Sequence, residues 1–240
     1  MSFLTINNLN KTFTSPGGRV TKALVDFNLK LEKGAILSVI GHNGSGKTTL
    51  LNCIRGSITP DDSGVILIND KNIRRGDTRI VSVFQDVDAG IIPSMTAIEN
   101  LVVALSGKLS FLWSFPCRHF KEKIYDFLKS IDMYKRFSEF EHSVVSDLSG
   151  GQRQQLAIIM AMLRKPELLL LDEFVANLDP KVSEDILGWT KQYIREYKIT
   201  TIMVTHDHAL AKTWGDYLLE MREGYIVKMT PVNSQMLAQQ

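Results

Sequence analysis

Eight residues, Gly41-His42-Asn43-Gly44-Ser45-Gly46-Lys47-Thr48, follow a short apolar run and precede a stretch of helical character. Glycines at this spacing let the backbone curl until successive N–H groups face inward, a nest for phosphate oxygens. A helix beginning at Gly46 or Lys47 adds the positive end of its dipole. Asn43 and Ser45 lie in the curl, Lys47 is a point charge for β- and γ-phosphates, Thr48 offers a hydroxyl to Mg²⁺, and Thr49 is a further phosphate contact. A second constellation closes the four-leucine run 168–171 with Asp172-Glu173. An acidic pair at a strand end is by itself an ordinary solvated terminus. Beside a phosphate loop it acquires roles: Asp172 to hold Mg²⁺ through water, Glu173 to orient and deprotonate an attacking water.

Those residues need a scaffold that brings strand ends together. The chain has 240 residues, 44% of them apolar, enough for one substantial core or one core with a smaller lobe. Residues 35–40 form a nearly continuous apolar run, as expected of a strand buried on both faces of a parallel sheet. Further strands are predicted at 65–68, 80–84, 168–171, 200–204, 217–221 and 225–227, with helices at about 152–164, 181–197 and 207–213 as crossovers. Residues 1–33 read as antiparallel hairpins broken by Ser15-Pro16-Gly17-Gly18. Between 86 and 147 the spacing turns helical, as in Ile124, Phe127, Leu128 and Ile131. The expected architecture is α/β: a single domain over 1–240, with a core of 1–85 and 149–240 that includes the antiparallel part, and a helical insertion at 86–148. The last ten residues are polar and are expected to fray.

Bulk charge argues against some partners. The net charge is +2, from 28 basic and 26 acidic residues, with no long run of one sign, so nucleic acid is not expected as a partner. Two distant cysteines, Cys53 and Cys117, read as reduced thiols rather than a metal site. The first residues lack a signal-peptide pattern, and no apolar run approaches the ~18 residues of a membrane span. Work at a membrane would require a membrane partner.

About twenty residues ahead of the acidic pair stands Leu148-Ser149-Gly150-Gly151-Gln152. With this pentapeptide, the phosphate loop and the acidic strand in order, the chain resembles the ATP-binding subunits of ABC transporters over nearly its full length. The resemblance implies a P-loop NTPase core, ATP and Mg²⁺ as ligands, ATPase activity, and a head-to-tail dimer in which the pentapeptide of one subunit closes over the γ-phosphate held by the other. The residues suit that role. Ser149 can cap a helix, Gly150 and Gly151 expose backbone N–H groups, and Gln152 opens the helix whose dipole faces the anion. By the same resemblance Gln85 contacts Mg²⁺ and water, Asp179 in Asn177-Leu178-Asp179 belongs to the loop touching the opposite subunit, His206 senses γ-phosphate beside Glu173, and Phe13 stacks on adenine. Phe174 and Val175 depart from a usual proline after the acidic pair, and Asn177 from a smaller residue, which puts the inter-subunit contact and the rate in question but removes no catalytic group.

The implied assembly is a homodimer or paired ATPase subunits on the cytoplasmic face of a membrane, peripheral through an integral permease, with an extracytoplasmic substrate-binding protein. Segments around Phe84–Thr96, Ser149–Ala161 and Met203–His206 look most like a bacterial import group, with aromatic amino acids one candidate cargo. A lipoprotein or lipid exporter, and a non-transport ATPase regulating a membrane or division complex, remain open alternatives. The apolar segment Leu109–Phe115 reads either as packing inside the helical lobe or as a seat for a permease helix.

Overall fold

A computed structural model of the protein describes residues 2–61, 64–84, 86, 90–106 and 116–232. Gln85, the segment Leu109–Phe115 and most of the expected frayed tail lie outside the described residues. By packing, residues 1–82, 167–173 and 194–240 form one compact unit and residues 83–166 and 174–193 a second.

The first unit opens with strands β1 (Ser2–Thr14) and β2 (Val20–Glu32), paired antiparallel. Their turn is closed by the Gly18 amide donating to the Ser15 carbonyl at 2.9 Å. β1 shifts register repeatedly, twice between Leu9 and Thr12; such bulges bend a strand and re-aim the side chains beyond them. Strand β3 (Ile36–Ile40) is buried at every position, Ser38 included, as its nearly continuous apolar run predicts. Helix α1 (Lys47–Ile54) follows the glycine loop. Strands β4 (Val65–Ile68) and β5 (Lys71–Asn72) join the N-terminal hairpin in a four-stranded sheet ordered β2-β1-β4-β5. The pairing of β4 with β1 has no local cue in the sequence. Strand β6 (Ile80–Val83) is the edge of the other sheet.

The helical unit contains α2 (Ala97–Ser106), α3 (Pro116–Ser130), α4 (Tyr134–Ser138), a 3₁₀ turn at Val145–Asp147, and α5 (Gly150–Leu163). Its core joins Ile98, Leu101, Ile124, Leu128, Phe137, Leu156 and Ile159, with Phe137 edge-on to Phe140 at a 5.2 Å ring separation. Buried Asn100 at α2 accepts from the Ile92 amide and donates to the carbonyls of Ile92 and Thr96, satisfying a connection that cannot reach water.

The first unit resumes with β7 (Leu168–Asp172) and, after α6 (Pro180–Glu196), continues through β8 (Thr200–Val204), α7 (His208–Trp214), β9 (Tyr217–Arg222) and β10 (Tyr225–Pro231). The six-stranded sheet runs β10-β9-β3-β8-β7-β6; β3 is parallel to β8 and β9, and β7 is parallel to β8. Leu37, Val39, Leu168, Leu170, Ile202, Val204 and Leu219 from this sheet share a core with Leu50 and Ile54 of α1 and with Leu4, Ile6 and Phe27 of the antiparallel sheet.

Among the described residues Phe137 is the largest fully buried side chain of the helical core. Phe137→Ala should cost about 3–5 kcal/mol, since cavity formation adds to lost transfer energy; a lower urea midpoint measures it.

Candidate functional site

At one edge of the first unit the parallel strands end nearly level. Asp172, the last residue of β7, stands opposite Val204, the last of β8, and Val204 stands opposite Val39. The ladder runs one step further: the Glu173 amide donates to the Val204 carbonyl at 3.0 Å and the Thr205 amide to the Val39 carbonyl at 3.2 Å. Gly41, Glu173 and Thr205 therefore emerge at one edge, where ligands gather in open α/β sheets.

Lys47 begins α1 and is buried. Its ammonium bends back across the loop, donating to the carbonyls of Gly41 at 2.6 Å and His42 at 3.0 Å. The Ser45 amide donates to the His42 carbonyl, and the Gly224 amide to the Ser45 carbonyl. These bonds hold Gly41, Asn43, Gly44, Ser45 and Gly46 in the curl. Gly46 is required for two reasons: its φ is +102°, and a Cβ there would run into the Ala23 carbonyl. Thr48 is exposed and Thr49 half-buried on the first turn of α1.

Burial lowers the pKa of Lys47, opposed by the nearby charges of Glu173 and then Asp172. Asp172 is pushed the other way. Burial raises its pKa, Glu173 adds repulsion, and Lys47 offsets only part of it. The edge thus carries more negative charge than it neutralises, and its donors are hard oxygens, the Thr48 hydroxyl and the Asp172 carboxylate. Such a set fits Mg²⁺.

Glu173 has a left-handed backbone, φ +45°. For a residue with a Cβ this costs on the order of 1–3 kcal/mol, and such strain clusters at functional sites. Its Oε1 lies 3.5 Å from Nδ1 of His206. His206 itself is exposed; the next residues are fixed by the Asp207 amide donating to the Thr205 hydroxyl and by Asp207 capping α7 through the Ala209 and Leu210 amides. Beside the loop opens a cleft of about 550 Å³ lined by Ile40, Gly41, His42, Asn43, His206, His208 and Glu220. Glu220 and His208 carried no such signal in the sequence, because only the β3–β9 register brings Glu220 opposite Ile40. Phe13 sits near the end of β1, 41% exposed.

In the helical unit, Ser149 caps α5 in a reciprocal box. The Gln152 amide donates to Ser149 Oγ at 3.2 Å and the Ser149 amide to Gln152 Oε1 at 3.0 Å. The sequence marks Gln152 as a nucleotide contact; the structure shows its carboxamide engaged in the cap. Gly150 is exposed, and a Cβ on Gly151 would press on Val182 Cγ1 at 2.8 Å. Asp179 accepts from the Lys181 amide at 3.0 Å at the start of α6, Asn177 is exposed and Phe174 is buried.

A curled glycine loop at the head of a helix, facing a carboxylate pair across parallel strand ends, defines a phosphate-loop nucleotide hydrolase. Residues 24–176 match the ABC transporter family, and the chain belongs to it as an ATPase subunit. It is 41% identical over 231 residues to a tyrosine transport ATP-binding protein of Clostridioides difficile (strain R20291), covering 93% of this chain and 90% of that protein. It is 32% identical over 234 residues to the phosphonates import ATP-binding protein PhnC of Treponema denticola, covering 93% and 88%. A bacterial ABC transporter cassette solved as a dimer superposes with a TM-score of 0.80 at 28% identity, over 95% of this chain and 98% of that one. A dimeric post-hydrolysis cassette bound to ADP and Pi superposes with a TM-score of 0.78 at 28% identity, over 95% and 98%. Among the described residues no helix is long and apolar enough to cross a membrane.

The raised pKa of Asp172 has a consequence for stability. A carboxylate whose folded pKa exceeds its unfolded value destabilises the fold above the folded pKa and not below the unfolded one. Asp172→Asn should raise the melting temperature of the nucleotide-free protein at pH 7 while abolishing hydrolysis. The gain should vanish below about pH 4, the unfolded carboxyl range. Melting curves from pH 3.5 to 8 give the comparison.

Proposed function

We propose that this ATPase subunit drives a bacterial importer of a small solute, with an aromatic amino acid as cargo. It works as a homodimer on the cytoplasmic face of an integral permease that is supplied by an extracytoplasmic binding protein. The observation carrying the chemistry is the meeting of Lys47, Asp172, Glu173 and His206 at one sheet edge. The cargo class is supported by the import and transport names of the relatives, tyrosine at 41% identity above all.

Each residue has a distinct task in this reading. The loop amides from Gly41 to Thr49 and the Lys47 ammonium bind the triphosphate, and Phe13 stacks on adenine. Thr48, Gln85 and, through water, Asp172 would hold Mg²⁺. Held there, magnesium would supply positive charge against the triphosphate. Glu173 orients the attacking water and takes its proton, and the His206 imidazole, 3.5 Å away, steadies that carboxylate toward the γ-phosphate. From the second copy, Ser149 and the amides of Gly150 and Gly151 close over the γ-phosphate, while Asp179 lies in the loop that meets the opposite copy. With one lone pair of its oxygen taken by the Gln152 amide, the Ser149 hydroxyl keeps its proton to donate outward.

Glu173→Gln keeps shape and removes the base, so with ATP and magnesium it should elute as a stable dimer with turnover lost. A monomer at saturating nucleotide would refute the clamp. Lys47→Ala should lower turnover by about two to three orders of magnitude, as for loss of a preorganised charge contact; unchanged ATPase activity would refute the phosphate assignment. Tagged Glu173→Gln captured from native membranes should retain a multispanning permease and a binding protein whose ligand is the cargo. Recovery of soluble partners alone would overturn the transport reading.

A further inference from the structure

Phe13 is one of few large apolar side chains on the surface among the described residues, and what holds it in place comes from far along the chain. Lys11, two residues earlier on the same strand, places Nζ over the Phe13 ring, 5.7 Å from its centroid. That ammonium is not free to wander. It pairs with Asp61 Oδ1 at 2.7 Å, with both side chains largely covered. The other carboxylate oxygen of Asp61 accepts from the Thr12 amide at 2.5 Å, and the Asp61 amide donates to the Asn10 carbonyl at 2.8 Å. One aspartate therefore grips three successive residues of β1, Asn10, Lys11 and Thr12, immediately before Phe13 and across the two register shifts that re-aim the strand.

Asp61 follows closely on a turn that is folded back onto the phosphate-binding helix. The chain leaving α1 is folded onto its last turn by the Ser57 and Ile58 amides, which both donate to the Asn52 carbonyl. The Cys53 thiol on α1 registers the pair: burial pushes it up to about 11, with Lys11 lowering and Asp61 raising it. The hydrogen bond from Lys11, helped by the Thr12 amide, holds the Asp61 carboxyl below the usual carboxylate range, so the grip persists at neutral pH.

We propose that the Lys11–Asp61 pair is a positioning brace that sets Phe13 as a nucleotide-base platform at a fixed distance from the phosphate loop, and so tunes affinity for ATP. This rests on the reading of Phe13 as the adenine-stacking residue. The pair touches neither the triphosphate nor the water in that reading, so it acts on binding and not on the chemical step. Lys11 covers one face of Phe13, and a cation on one face favours a ring held flat and open on the other.

Steady-state ATPase assays of the full chain at varied ATP–Mg²⁺ test it, with Phe13→Leu, Lys11→Met, Asp61→Asn, Lys11→Arg and the Phe13→Leu/Lys11→Met double variant. Lys11→Met and Asp61→Asn should each raise KM about three- to fivefold, the range of a partly exposed cation–π contact. Their kcat should stay within about twofold, Lys11→Arg should restore most of the KM, and the double variant should be no worse than Phe13→Leu alone. If Phe13→Leu leaves KM unchanged, the platform reading falls and the brace with it. If Phe13→Leu raises KM but neither brace variant does, or the double variant shows additive losses, the brace is refuted and the platform stands. Lower kcat and melting temperature at constant KM would reduce the pair to a structural tie and overturn the proposal. Should Lys11→Met fail to fold, Asp61→Asn carries the same comparison.

Discussion

Backbone hydrogen bonding between parallel strands decides where the chemistry of this protein can occur. β3, β8 and β7 stop at the same level, and the ladder continues just far enough to pin Glu173 to Val204 and Thr205 to Val39. A slip of one residue in either pairing would turn alternate side chains to opposite faces. Asp172 would then leave the edge, and Glu173 would lose its approach to His206. The burial of β3 and β8 throughout, and of β7 from Leu168 to Leu171, makes such a slip costly.

On that frame sit groups that the fold would be more stable without. A buried ammonium, a desolvated carboxylate beside a second one, and a left-handed glutamate each raise the energy of the folded chain. The surrounding core of the first unit, continuous from the antiparallel hairpin through α1 to the central sheet, holds them there. Unfavourable charge and strained backbone at one edge are what a site for a polyanionic substrate needs, because the substrate and its counter-ion complete the electrostatics. The helical unit contributes a different kind of surface. Its α5 terminus is internally satisfied by the Ser149–Gln152 box and yet open at Gly150.

Much of this was legible in the residues. The glycine spacing ahead of Lys47, the five-residue apolar run of β3 and the leucine run ending in Asp172 depend on local periodicity and turn chemistry, which a sequence carries directly. The helices α1, α5, α6 and α7 fall within about two residues of their expected limits, because Gly46, Ser149, Pro180 and Asp207 are local boundary signals. What escaped was set at a distance. The pairing of β4 with β1 depends on tertiary packing, and so does the convergence of His42, His206, His208 and Glu220 on one cleft. The grip of Asp61 on Lys11 spans fifty positions. The left-handed turn at Glu173 is imposed by the ladder at Val204, not by any preference of glutamate. The capping role of Gln152 was hidden inside a motif that already had another meaning.

The strand order also sets a clock on the ribosome. Ile36 of β3 pairs on one side with Thr201 and Leu37 on the other with Tyr217. β3, buried at every position, is thus finished long before either neighbour exists. At roughly 5–20 residues per second of synthesis, it waits about ten to thirty seconds with both edges unsatisfied. The hairpin β1–β2 is already made, and α1, β4 and β7 of the same unit emerge before β8 and can shelter it in that interval. The central sheet closes only when the last third of the chain emerges.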